Sequence, residues 1–173
     1  PYLPRDTATA ISSGVTLIHQ ELALCPHLTV WENLFLGCEL RRGLVLDVEE
    51  MRSETKNCLS KLGHPTLDAN SRVGNLSASN RQIVEICRAI QSDANVILFD
   101  EPTSSLTATD TDALFTAIRR LRDAGKAIVY ITHFLDEVKE LCNRATVLRD
   151  GRLVETFAVG ETSTSQLVHA MTG

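Results

Sequence analysis

Val96-Ile97-Leu98-Phe99-Asp100-Glu101-Pro102-Thr103 decides how this chain is read. Four consecutive apolar residues suit a strand covered on both faces, as in a parallel sheet. Asp100 ends that strand abruptly with charge, and in open α/β sheets the carboxyl ends of strands are where ligands bind. Two acids side by side repel unless a cation shares the site. A Mg²⁺ held by Asp100, directly or through water, leaves Glu101 to orient or deprotonate an attacking water. The same residues also suit a strand that acids merely cap before a Pro-Thr turn, so the pair alone leaves both readings open.

Working outward from this strand, a helix is expected from about Thr109 to Arg122, with Leu114, Phe115, Ile118 and Leu121 on one face and Gly125 as its stop. Ala127-Ile128-Val129-Tyr130-Ile131 follows as a second covered strand, and His133 ends the strand run Tyr130-Ile131-Thr132-His133. A short helix with Leu135, Val138 and Leu141 leads to Ala145–Leu148, and Asp150-Gly151 signals a two-residue hairpin into Leu153-Val154. The last helix begins near Ser163 or Thr164.

On the other side, Leu76-Ser77 opens a helix whose residues Ile83, Val84, Ile86, Cys87 and Ile90 form a broad apolar stripe. Upstream, Val15-Thr16-Leu17-Ile18-His19 is a short β-favouring run ending on Gln20. Thr29 with Glu32 has capping-box spacing before a short helix that closes at Gly37. Asp47 with Glu50 repeats the start signal before a helix ending at Gly63. Strands alternating with helices give an α/β architecture with a mostly parallel sheet. Residues 29–88 carry three helical patterns and no strand signal, which reads as a helical insert.

Composition narrows the function. The chain has 173 residues, 17 Lys+Arg against 22 Asp+Glu for a net charge of −5, and 43% hydrophobic residues, as expected of one ordinary globular domain. This balance, without a basic tract, argues against a nucleic-acid footprint, and no stretch approaches the roughly 18 apolar residues of a membrane span. The five cysteines form no C-x-x-C pair and read as reduced, buried, cytosolic thiols. Arg119, Arg120 and Arg122 read as a solvated helix face, and Trp31 as a core or helix-face anchor. The histidines lack metal-ligand spacing.

Taken together, Gln20, Leu76-Ser77-Ala78-Ser79-Asn80, Asp100-Glu101, Ser104-Ser105-Leu106-Thr107 and Thr132-His133 follow one another in an order that resembles the nucleotide-binding domain of ABC transporters. They stand as Q-loop, signature motif, Walker B with its glutamate, D-loop and switch histidine. The resemblance covers almost the whole chain. Within the family, His19-Gln20-Glu21-Leu22, Glu32-Asn33-Leu34-Phe35-Leu36-Gly37, Gln82-Ile83-Val84-Glu85-Ile86 and Val147-Leu148-Arg149-Asp150-Gly151 are similar to the carbohydrate-import branch of ribose, galactose and xylose type. They look like the first of its two tandem nucleotide-binding domains, and Thr107 is similar to that branch.

The resemblance implies a P-loop NTPase-like α/β fold, with residues 1–28 and 89–173 in the catalytic core and about 29–88 as a helical subdomain. It implies ATP and Mg²⁺ as cofactors. Asp100 and Gln20 would hold Mg²⁺, Glu101 would act on the attacking water, and His133 would hydrogen-bond the γ-phosphate. Ser77, Ala78, Ser79, Asn80 and Ser105 would contact nucleotide. The implied function is ATP hydrolysis that energises sugar import from the cytoplasmic face of the membrane. The implied partners are transmembrane permease subunits, a second nucleotide-binding domain in a head-to-tail pair and, indirectly, a periplasmic or extracellular sugar-binding protein.

Two departures stand out. No G-x-x-x-x-G-K-[ST] loop occurs, so the chain is expected to begin after that loop and to bind ATP poorly by itself. The signature has Ser79 and Asn80 where the usual family pattern is L-S-G-G-Q, which puts a side chain at a point of close approach. Alternatives are a degenerate, non-hydrolysing ABC domain and a soluble, non-transport ABC ATPase. The 56 positions from Gln20 to Leu76 hold no sustained heptads, which argues against the long coiled coil of chromosome-maintenance types.

Overall fold

The computed structural model describes residues 3–20, 23–91, 94–104 and 106–173. In chain order the elements are α1 (Thr7–Ser12), β1 (Val15–Ile18), α2 (Val30–Phe35), β2 (Arg41–Arg42), β3 (Val45–Leu46), α3 (Val48–Leu62), α4 (Ala78–Gln91), β4 (Val96–Asp100), α5 (Ala108–Asp123), β5 (Ala127–Ile131), α6 (Leu135–Leu141), β6 (Arg144–Arg149), β7 (Arg152–Ala158) and α7 (Thr164–Thr172). Chain contacts divide into two compact units, Pro1–Val129 and Tyr130–Gly173.

The first unit is built on the pairing of β1 with β4, parallel and in register from Val15 opposite Val96 to Ile18 opposite Phe99. The sheet order is β1-β4-β5. One face of β4 is fully buried through Ile97 and Phe99, whereas its other face is only half-buried. β5 departs further from the expected doubly covered strand. Val129 and Ile131 are each 46% exposed, so its apolar run is sided, with one face open.

Helix α4 supplies much of the core because its apolar residues span a wide stripe: Ile83, Val84, Ile86 and Cys87 are all essentially inaccessible. Burying side chains of that size contributes about 1.5–3 kcal/mol each. α2, α3 and α5 pack on α4. Each start is dictated locally. Thr29 and Glu32 form a reciprocal capping box on α2, Asp47 accepts the Glu50 amide on α3, and Thr107 accepts the Asp110 amide on α5. α3 ends on Gly63 in the left-handed region, φ 90°.

Three expectations need correction here. Residues 29–88 do contain strands: β2 and β3 pair as a small antiparallel hairpin around Gly43-Leu44, with Gly43 at φ 69° as a two-residue turn requires. Arg120 is not part of a purely solvated face, since its guanidinium reaches the α3 C-terminus and donates to the Lys61 carbonyl at 3.4 Å. The cysteines are all free thiols, yet only Cys58 and Cys87 are buried; Cys38 is exposed and Cys25 and Cys142 are half-buried. The short helix α1, capped by Asp6, had no counterpart in the sequence reading.

In the second unit β6 and β7 form an antiparallel hairpin turned by Asp150-Gly151 at φ 51° and 71°, with a bulge at Val147/Leu148. α7 starts at a capping box of Ser163 and Gln166 and packs on β6 through Leu167 and Ala170. Lys139 of α6 donates to the carbonyls of Val159 and Thr162.

Candidate functional site

Because Ile18 lies opposite Phe99, His19-Gln20 and Asp100-Glu101 leave their strands at the same, carboxyl edge of the sheet. Asp100 is the last residue of β4 and half-buried. The chain then turns sharply. Glu101 takes a left-handed backbone, φ 43°, and the Ser104 amide donates back to the Glu101 carbonyl at 3.3 Å. That turn returns Ser104 to β1, where its Oγ accepts from Gln20 Nε2 at 3.3 Å. Four polar residues from two adjacent strand ends thus converge. Ser105, expected to contact nucleotide, lies outside the described residues, and its neighbour Ser104 makes the contact to β1. Adjacent serines after a turn give no local signal for which one faces β1.

The loop following Gln20 is anchored from two helices. Arg88 Nη1 of α4 donates to the Ala23 carbonyl at 2.8 Å, and Glu85 accepts the Ala23 amide. Burial holds the Glu85 carboxyl above its ordinary range, partly offset by Arg88. Buried Asn33 of α2 brackets Cys25 in the same way, accepting its amide at 2.8 Å and donating to its carbonyl at 3.0 Å. Neither pair was singled out from sequence, because both depend on tertiary packing.

Ser77 to Asn80 form the N-terminal turn of α4. Ser77 acts as the cap, its Oγ accepting the Asn80 amide at 3.2 Å, and the Ser77 and Ser79 hydroxyls meet at 3.2 Å. Ser79 also reaches α5: hydrogen bonds from Ser79 and Thr107 hold the Asp110 carboxyl below its usual value. Asp110 is therefore a neighbour of the motif that sequence spacing could not supply.

His133 belongs to the second unit, two residues beyond β5. It is exposed, and its ring packs on Phe134 with centroids 4.1 Å apart and planes inclined by 38°. Chemically, the first unit offers a carboxylate and an amide oxygen at one sheet edge, a hard-donor set that suits Mg²⁺ retaining several waters. The capped start of α4 offers backbone N–H groups and hydroxyls suited to an anion.

The fold has clear relatives. Solved ATP-binding cassettes of ABC transporters superpose with TM-scores of 0.79 and 0.78 at 22% and 20% identity, each covering 98% of this chain and, respectively, 72% and 69% of the solved chain. These show that the chain has the α/β fold of an ATP-binding cassette. The ABC transporter family model matches residues 2–104, and this chain belongs to that family. It is similar to arabinose import ATP-binding protein AraG 2 of Burkholderia thailandensis, 46% identical over 97% of this chain and 32% of that protein. AraG of Pseudomonas fluorescens is 44% identical over 98% of this chain and 33% of its own length. A Burkholderia cenocepacia protein provisionally designated ribose/galactose/methyl galactoside import ATP-binding protein 3 is also 44% identical, over 98% of this chain and 33% of its length. The chain spans about a third of the length of these relatives.

Proposed function

We propose that this chain is part of an ATP-hydrolysing subunit that energises import of a small sugar through transmembrane permease partners at the cytoplasmic face of the membrane. The observation that carries the reading is the convergence of Gln20 and Ser104 beside Asp100-Glu101 at the carboxyl edge of two parallel strands. The printed names of the similar proteins, which concern arabinose, ribose and galactose import, support the substrate class. No helix among the described residues is long and apolar enough to cross a membrane.

In this reading Asp100 and the Gln20 amide oxygen hold Mg²⁺, directly or through water. Bound there, Mg²⁺ would supply charge neutralisation for phosphoryl transfer. Glu101 orients and deprotonates water. His133 donates to the γ-phosphate, and Ser77, Ala78, Ser79, Asn80 and Ser105 line nucleotide. The Ser77–Asn80 turn serves the opposite cassette of a head-to-tail pair, and a sugar-binding protein delivers substrate to the permease. Residues 1–28 and 89–173 form the catalytic core, and 29–88 the helical subdomain.

The test uses the full-length protein with its permeases in vesicles. Glu101→Gln lowers ATP turnover and sugar uptake together by about 10²–10⁴-fold, with nucleotide binding retained. Unchanged hydrolysis removes Glu101 from the mechanism. A non-hydrolysing domain is the second reading, favoured by the engagement of Ser79 with Asp110; wild-type protein that binds ATP without turning it over establishes it.

A further inference from the structure

The second unit contains a buried carboxylate that the reaction outlined above does not use. Glu137, the third residue of α6, is 8% exposed. Its Oε2 accepts the Thr132 hydroxyl at 2.6 Å and the Tyr130 phenol at 3.2 Å. The Thr132 Oγ1 in turn accepts the Phe134 amide at 3.0 Å. His133 lies between these last two residues. Both of its flanks are therefore fastened to one hydroxyl, and that hydroxyl to one buried carboxylate.

The chemistry fixes the direction of this chain of bonds. A threonine hydroxyl has one proton, and giving it to Glu137 turns the oxygen's lone pairs toward the Phe134 N–H. At 2.6 Å this O–H···O bond lies at the short end of the usual range. A carboxylate with little access to water is sustained only when its oxygens are satisfied, and here two donors on the Tyr130–Thr132 segment contribute. The result is a backbone held on either side of His133 while its imidazole stays exposed, resting on the Phe134 ring. A side chain that must meet a phosphate at a fixed distance needs such support beneath its backbone.

We propose that Glu137 is a positioning residue for His133, acting through the Thr132 hydroxyl. It neither touches substrate nor transfers a proton. The proposal rests on His133 contacting the γ-phosphate in the reading above, and its test separates the two.

In the full-length protein assembled with its permeases, Thr132→Val removes the hydroxyl at nearly constant shape. Turnover falls about tenfold to a hundredfold while KM for ATP changes by less than about twofold, because orientation is lost and not binding. Thr132→Ser recovers most of the rate. In a His133→Ala background Thr132→Val adds no further loss, since a residue acting through His133 has nothing left to position. The same factor of loss in both backgrounds overturns the proposal. An independent readout is amide hydrogen exchange at Phe134, which accelerates by about tenfold or more in Thr132→Val and in Glu137→Ala. Unaltered exchange also overturns it, whatever the turnover does. If His133→Ala leaves turnover at the wild-type rate, the assigned role of His133 fails, and the exchange measurement still decides whether the brace exists.

Discussion

Glu101 is held in a left-handed backbone, φ 43°, a conformation that costs a non-glycine residue about 1–2 kcal/mol. Strain of this kind persists where a side chain is required at that point for another reason. Comparing two variants that both remove the carboxylate isolates the backbone term. Glu101→Gly is therefore expected to be more stable than Glu101→Ala by about 1 kcal/mol in denaturant unfolding, with both inactive in hydrolysis. Equal stabilities would mean that the turn relaxes. His64 offers a second residue-scale check. Burial, and then the nearby Arg120 guanidinium, hold its imidazole below the ordinary value. A depressed imidazole carries no penalty above the unfolded value and costs stability progressively as pH falls from the unfolded value to the folded one, where the unfolded chain binds the proton first. NMR titration should find His64 below the usual range, Arg120→Gln should raise it, and His64→Gln should flatten the loss of stability on acidification. At this scale Asp100, Glu101, Gln20 and His133 were selected by the order of the motifs around them, since acids at a strand end alone suit a capped strand equally well. Ser104, Asp110 and Glu137 stayed hidden because each gains its meaning only from a partner distant along the chain or across a turn.

The elements were most legible where a start signal and an apolar period agreed. The capping box at Thr29 is the clearest instance: Glu32 accepts the Thr29 amide at 2.7 Å, and Thr29 Oγ1 accepts the Glu32 amide at 3.4 Å. Thr29→Ala should lower stability by about 1 kcal/mol, measured as a shift of the urea midpoint at unchanged m-value. The Glu32 carboxyl is held below its usual range chiefly by its hydrogen bonds to Thr29. Its contribution is thus present above the unfolded carboxyl value and lost as pH drops through the folded one, so the difference between Thr29→Ala and wild type should narrow in acid. The β2–β3 hairpin escaped notice because two-residue strands leave no period to detect; only Gly43 at the turn marked it. β5 is ambiguous in sequence for a different reason. Five apolar residues in a row look alike whether one face or both are covered, and here Val129 and Ile131 face outward.

At the scale of the whole molecule, the weight falls on α4, which carries the Ser77–Asn80 turn at one end and grips the loop after Gln20 at the other through Glu85 and Arg88. On the proposed head-to-tail pairing, a glycine at position 79 would let a phosphate of the opposite cassette approach the α4 backbone, with the N-terminal dipole favouring it. Ser79 instead adds a β-carbon and directs hydrogen bonding toward Ser77 and Asp110. An extra side chain at a close-packed contact costs about 1–3 kcal/mol when its surroundings cannot yield. Relief of roughly 1 kcal/mol in the transition state corresponds to about a fivefold faster step. Ser79→Gly in the full-length protein should therefore raise ATP turnover by about fivefold in permease-containing vesicles. Asp110→Ala, which frees the Ser79 hydroxyl and leaves its β-carbon in place, should give less than Ser79→Gly. A rise with Asp110→Ala alone would shift the cause from crowding to the hydroxyl's orientation, and unchanged turnover in both variants would mean that this composite site works at full strength with serine in it.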